Sequence, residues 1–346
     1  LPNPPFKEKG GAVIALSLKV VCSLSRDQSW WLENGPNLIP AGDDVGDLHI
    51  ATPQSEQRPM GTVWELDFYS RPILDENNKK RWEVLISEGL QTVDANPDEL
   101  FRFSKFVANT EVNSIELKNA IAEAIAQAPE PPSRIRFFRF SMQNMISRAC
   151  EELGIAVQAS RRTLALQQWM AHREREVYPN EPGYTDKPSP RIGAPPPAPK
   201  PLPDALIGQQ WALVSLPAQD FADMPEWPID FGEAFPLALA GVSKEAMVPG
   251  LVIFSSRAQP MAGWLSGLEV SELRVEAGKT PRLILETGTA DSWVMAVLNT
   301  PELQKEAETF EATKQQANQV HFLAIQADPN AEAFAGFWLM QSVELG

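Results

Sequence analysis

Eight arginines fall between Arg134 and Arg175, at positions 134, 136, 139, 148, 161, 162, 173 and 175. Glu151, Glu152 and Glu174 are the acids in the same window, which leaves a local balance of +5 (8 − 3). A guanidinium offers a rigid fork of N–H donors that fits phosphate oxygens and a flat face that stacks on bases. In RIRFFRF, strand alternation puts Arg134, Arg136 and Phe138 on one side and Ile135, Phe137 and Arg139 on the other. Arg161 and Arg162 fall where a strand is expected to give way to a helix, and the free amides of a helix start favour anions. Cationic forks beside aromatic rings bind single-stranded nucleic acid. The same arginines also suit ordinary surface charge on helices and strand ends.

A second chemistry is written in carboxylates. On the strand WELDFY, alternation groups Glu65, Asp67 and Tyr69. An aspartate on a first strand, with Glu116 on the first helix, is the beginning of a two-metal nuclease site. Such a site needs a further acid at the end of the fourth strand, where this chain has Phe140 and Ser141 after Arg139. We therefore expect a catalytically silent site, with Asp67 paired to Arg71 or Arg81, and neither a metal nor a cofactor. The chain has no Walker A loop, Rossmann glycine fingerprint or HExxH. SSRAQPMAGW has no base placed to activate a serine, and GTADSWV reads as a turn. Cys22 and Cys150, with His49, His172 and His321, are too scattered for a disulfide framework or a zinc cluster.

The elements that must position these groups are legible from Thr62 onward. TVWELDFYSRPIL and KRWEVLISE read as strands about the turn DENNKK, and FRFSKFV as a third. Ser114 precedes the helix IELKNAIAEAIAQA, which PEPP ends. RIRFFRF is a fourth strand, MQNMISRACEELG a helix closed by Gly154, IAVQAS a fifth strand and TLALQQWMAHREREVY a third helix. That order fits a ribonuclease H-like mixed sheet flanked by helices.

Ten prolines between residues 179 and 203 make a semi-rigid connector. Beyond it, strands at QQWALVSL, GLVIFSS, LEVSELRVEA, PRLILETG, WVMAVL, VHFLAIQ and AFAGFWLMQ surround the charged helix PELQKEAETFEATKQQANQ. They suggest a second α/β domain with a mostly antiparallel sheet. We thus expect an α/β chain of four parts: an extension over residues 1–59, a ribonuclease H-like domain over 60–178, a Pro-rich linker over 179–206 and a C-terminal domain over 207–346. Residues 1–59 carry no sustained period, and Met60 is the expected natural start.

The net charge is −15 over 346 residues, which excludes general affinity for polyanions. From Gln209 onward seven Lys and Arg meet eighteen Asp and Glu, a balance of −11 (7 − 18), so that half cannot hold a phosphate backbone by charge. No run of ~18 apolar residues predicts a membrane span.

WELDFYSRPILDENNKKRWEVLI (residues 64–86) resembles the opening of the Tab-two/Atab-two family of cyanobacteria, algae and plants. GFWLM (residues 336–340) is similar to that family's aromatic ending, usually Phe-Trp-Leu-Leu. The resemblance runs from about Met60 to Gln341 and implies an RNA-binding protein acting on translation of photosystem I reaction-centre messages. It implies RNA as partner, together with translation or assembly proteins, and a cyanobacterial cytoplasmic or chloroplast stromal location. It links the C-terminal tripeptide, here Trp338, Leu339 and Met340, to RNA binding. Met340 departs from the usual Leu, a nearly volume-conserving exchange. On residues alone a terminal strand packed in the core is the favoured explanation of the tripeptide, and the resemblance brings the two readings level. The rival readings are a metal-dependent nuclease built on Asp67 and Glu116, and an assembly scaffold whose acidic half docks proteins.

Overall fold

The structure, a computed structural model, describes residues 61–186, 198–203 and 206–343. The extension over 1–59, the start at Met60 and the middle of the proline-rich segment lie outside the described residues. Within them the chain is mixed α/β, with fourteen strands in three sheets.

The first sheet is built from β1 (Val63–Leu74), β2 (Lys80–Glu88), β3 (Arg102–Val107), β4 (Arg134–Phe137) and β5 (Ala156–Ala159), in the order β3-β2-β1-β4-β5. The β1–β2 and β2–β3 pairs are antiparallel, while β4 and β5 run parallel to β1. Alternation sends Trp64, Leu66, Phe68, Val84 and Ile86 to one face. There they pack on Leu117 and Ile121 of α1 (Ser114–Gln127) and Ile146 of α2 (Gln143–Glu151). The α1 cap is Asn113 rather than Ser114: its side chain accepts from the N–H groups of Ile115 and Glu116. In the β1–β2 turn Asn78 takes a left-handed φ of 58°, and Asp75 Oδ1 accepts from the N–H groups of Asn77 and Lys79.

The opposite face is covered by α3 (Leu164–His172), whose Leu166 and Met170 pack on Leu85 and Phe138. This helix is shorter than expected. It passes into a π turn at Arg173–Val177 and a 3-10 turn at Tyr178–Asn180.

The second half holds two sheets where the sequence suggested one. The first joins β10 (Val270–Glu276), β11 (Arg282–Thr287) and β12 (Asp291–Val297) antiparallel, with β6 (Lys200–Pro201) parallel at its edge. The second, in the order β7-β9-β13-β14-β8, alternates antiparallel and parallel pairs. It uses β7 (Gln210–Pro217), β8 (Ile229–Glu233), β9 (Met247–Phe254), β13 (Val320–Gln326) and β14 (Phe334–Gln341). Elements additional to those expected include β6 in the proline-rich segment, β8, and α4 (Ala258–Ser266), which lies in the run SSRAQPMAGW. The charged helix α5 (Pro301–Gln316) is present, capped by the Thr300 hydroxyl, which accepts from the Leu303 N–H.

Leu90 and Ala165 from the first half join the apolar cluster of Val214, Phe322, Phe337 and Leu339, so the halves share one core. The proline-rich segment is pinned at its described ends. Thr185 N–H donates to Pro72 O at 2.8 Å, and Lys200–Pro201 pairs with β12.

Candidate nucleic-acid interface

Alternation along β4 is as expected over its four residues: Ile135 and Phe137 enter the core, while Arg134 and Arg136 point to the α3 side. What meets them there is the second half. Glu233, at the end of β8, accepts from Arg136 at 2.6 Å, Arg134 at 2.7 Å and Arg162 Nε at 3.0 Å. Glu269, just before β10, accepts from Arg136 Nη2 at 3.1 Å and from the Ser160 hydroxyl at 2.8 Å. Its Oε2 lies 2.6 Å from Arg136 Nε, an ion-pair contact whose angle falls outside hydrogen-bond geometry. Glu269 itself has φ 57°, a conformation that costs a non-glycine residue about 1 kcal/mol, and here it places the carboxylate over the arginines.

Burial pushes the Glu233 carboxyl up, but Arg162, Arg136 and Arg134 outweigh it and hold the group well below the usual carboxylate range. Removing one partner from such a buried pair costs about 3–5 kcal/mol, because the other charge is stranded. Arg162 also donates to the carbonyls of Val270 at 3.0 Å and Leu339 at 3.1 Å, and Arg161 Nη2 to that of Thr289 at 3.2 Å. Arg134, Arg136, Arg161 and Arg162 therefore join the two halves of the molecule.

Arg139 lies outside that hub. Its Nε donates to Asp67 Oδ1 at 2.6 Å, and its guanidinium lies 4.0 Å from the centre of the Tyr69 ring. Arg71 donates to Asp67 Oδ2 and to Glu83 Oε2, both at 2.9 Å, and Tyr178 and Arg173 complete the shell of Glu83 at 2.5 Å each. Asp67 is thus paired with Arg71 and Arg139, not Arg81. Glu116 instead meets Lys105 at 2.9 Å, in a separate ion pair. Among the described residues no three His, Cys, Asp or Glu converge as metal ligands.

Trp338, Leu339 and Met340 occupy an inner strand covered on both faces. Leu339 packs with Phe322 and Phe337, and Trp338 and Met340 pack with Met261 and Leu265 of α4. All three are at most 3% exposed. What the tripeptide offers Arg162 is the carbonyl of Leu339. Leu339 and Met340 nevertheless line the same small cleft as Arg136, Arg161 and Arg162, with Glu65 on its floor. Five of the eight expected residues therefore line one cleft and Arg134 joins them through Glu233, while Arg139 and Trp338 lie elsewhere.

A second grouping of arginines with aromatic rings, Arg81, Arg102 and Arg173, was not foreseen from the sequence. Arg81 lies 3.9 Å over the Phe106 ring, and Arg102 and Arg173 approach the Trp169 ring at 5.8 and 5.4 Å. Alternation could have grouped Arg81 with Glu83, and Arg102 with Phe106. The pairing of β2 with β3 that merges these groups, and the return of Trp169 on α3, are long-range.

The description "RNA-binding protein Tab2/Atab2 N terminal" matches residues 63–173, and "RNA-binding protein Tab2/Atab2, C-terminal domain" matches 189–341. A relative from Arabidopsis thaliana, "Protein TAB2 homolog, chloroplastic", is 36% identical over 312 residues, covering 88% of this chain and 80% of the relative. One of the same description from Zea mays is 36% identical over 284 residues, 80% of this chain and 70% of the relative. Among solved structures, a chain of a simian T-cell lymphotropic virus intasome bound to PP2A regulatory subunit B56 gamma aligns at 15% identity. It covers 35% of this chain and 44% of that one, at a TM-score of 0.25 too low to carry an argument.

Proposed function

The chain belongs to the Tab2/Atab2 family of RNA-binding proteins, and from that premise we propose that it binds the single-stranded leader of photosystem I reaction-centre messages and supports their translation without cutting them. The observation that carries this reading is the match of both family descriptions, one to each half of the molecule. The β3-β2-β1-β4-β5 order supports a ribonuclease H-like scaffold for the first half. The two guanidiniums on Asp67 support binding over cleavage: cations are already fixed where a nuclease would recruit metal. The chloroplastic relatives support a chloroplast stromal location, or the corresponding cyanobacterial cytoplasm. The boundaries 60–178, 179–206 and 207–346 belong to the same proposal.

Between residues 61 and 186 fifteen Lys and Arg face nineteen Asp and Glu, so binding rests on a local surface and not on bulk charge. Fluorescence anisotropy with a labelled A/U-rich leader RNA tests the reading. Affinity should fall steeply with salt, and the RNA should stay full-length with magnesium or manganese present. Indifference to RNA at low ionic strength would overturn the binding, and shortened RNA would favour the nuclease.

A further inference from the structure

The arginines that join the two halves are committed to carboxylates and carbonyls, which moves the search for an RNA track to the rest of the same sheet face. There β3 is the outermost strand, and α3 covers β1 and β2 but not all of it. The β2–β3 register sets Glu83 opposite Phe106, Leu85 opposite Ser104 and Ser87 opposite Arg102, so Phe106, Ser104 and Arg102 share the α3 side. Arg102 and Ser104 are exposed, and Phe106 and Trp169 are half-buried. From Arg102 to Phe106 is four residues, about 13 Å of strand.

We infer that this trough, from Arg81 and Phe106 through Ser104 to Arg102 and Trp169, is where single-stranded RNA lies. The inference rests on the RNA-binding reading and gives it a site. A guanidinium lying flat on a ring keeps its other face for a base and its edge N–H groups for phosphate. Alternating rings and guanidiniums bind successive nucleotides with little regard to sequence.

The local electrostatics fit a polyanion. Among the described residues Arg102 makes no ion pair, and its Nη2 donates one long bond, 3.4 Å, to Pro97 O. Among the described residues Arg81 makes one loose ion pair, 3.5 Å to Glu181, with both side chains 31% exposed. The one carboxylate beneath the trough, Glu83, is fully buried and saturated by Arg71, Arg173 and Tyr178, so it presents little charge outward.

Two double variants test the assignment. Arg81→Ala with Arg102→Ala removes two charges from the trough. Lys118→Ala with Arg148→Ala removes two from α1 and α2, where Lys118 and Arg148 share Glu152. In anisotropy with the labelled A/U-rich RNA, the trough pair should weaken binding at least tenfold. It should also lower the slope of log affinity against log salt by about 1 for each phosphate that is no longer neutralised. The comparison pair should change affinity less than threefold. Arg81→Lys with Arg102→Lys keeps the charge, removes the flat stacking group and should weaken binding several-fold; it also serves if the alanine pair melts early by circular dichroism. Wild-type affinity in the trough variants, or equal weakening in both alanine pairs, overturns the track while leaving RNA binding intact. Failure of the wild-type protein to bind any RNA overturns the reading beneath it as well.

Discussion

Glu65 faces the arginine hub from the floor of the cleft, and its Oε2 accepts the Leu166 N–H at 2.7 Å. Burial pushes its carboxyl from the usual 4.5 to about 8, against the pull of that amide and of Arg136. The folded protein therefore holds a proton that the unfolded chain releases between those two values, so stability falls as pH rises from about 4.5 to 8 and levels off above. Glu233 has the opposite sign: its depressed carboxyl contributes stability above the usual 4.5 that is lost as pH falls below it. Glu65→Gln keeps an oxygen for Leu166 and removes the titration. Urea unfolding should show the variant gaining on wild type by on the order of 3–5 kcal/mol between pH 5 and pH 9. A difference that stays constant over that range would mean that Glu65 is ionised in the fold. This part of the site was half legible. Alternation set Glu65 and Asp67 on one strand face and Arg134 and Arg136 on another. Their partners Glu233 and Glu269 lie about a hundred residues away, one in an unforeseen strand and one at a positive φ, and no local pattern reports such pairs.

Most strands and helices could be read because each carries its own periodicity. WELDFY and KRWEVLI alternate about a turn that Asp75 and Asn78 stabilise, and the α5 start is announced by Thr300 and Pro301. The two additional elements in the second half lack such signals. In α4, Pro260 and Gly263 look like breakers, yet a proline in the first turn gives up an N–H with no partner there. In β8, five residues between Pro228 and Ala234 become a strand through pairing with β14. Close approach also explains a glycine in that strand pair. A Cβ on Gly336 would stand 2.5 Å from the Trp338 ring and 3.0 Å from Ala262 Cβ, between strand and helix. Gly336→Ala should therefore lower stability by about 1–3 kcal/mol, read as a lower urea midpoint. An unchanged midpoint would show that the sheet and α4 separate freely.

Across the whole molecule, the C-terminal tripeptide and the arginine hub are one construction. β14 places Trp338 beside Glu233 in register, Leu339 offers its carbonyl to Arg162, and the side chains of all three residues fill cores on both faces. We propose that a tripeptide so placed affects RNA binding through the docking of the two halves and not by stacking on a base. That consequence is testable. Trp338→Leu removes a large buried ring, and truncations of this kind cost up to about 3–5 kcal/mol. The variant should melt well below wild type, and limited proteolysis should cut between the halves sooner. Cooled until circular dichroism matches the wild-type fold, it should bind the labelled RNA within threefold of wild-type affinity. If the ring instead touches RNA directly, affinity falls tenfold or more in the fully folded variant. In that event the molecule must open at β14 to bind, because the closed arrangement leaves the ring 3% exposed.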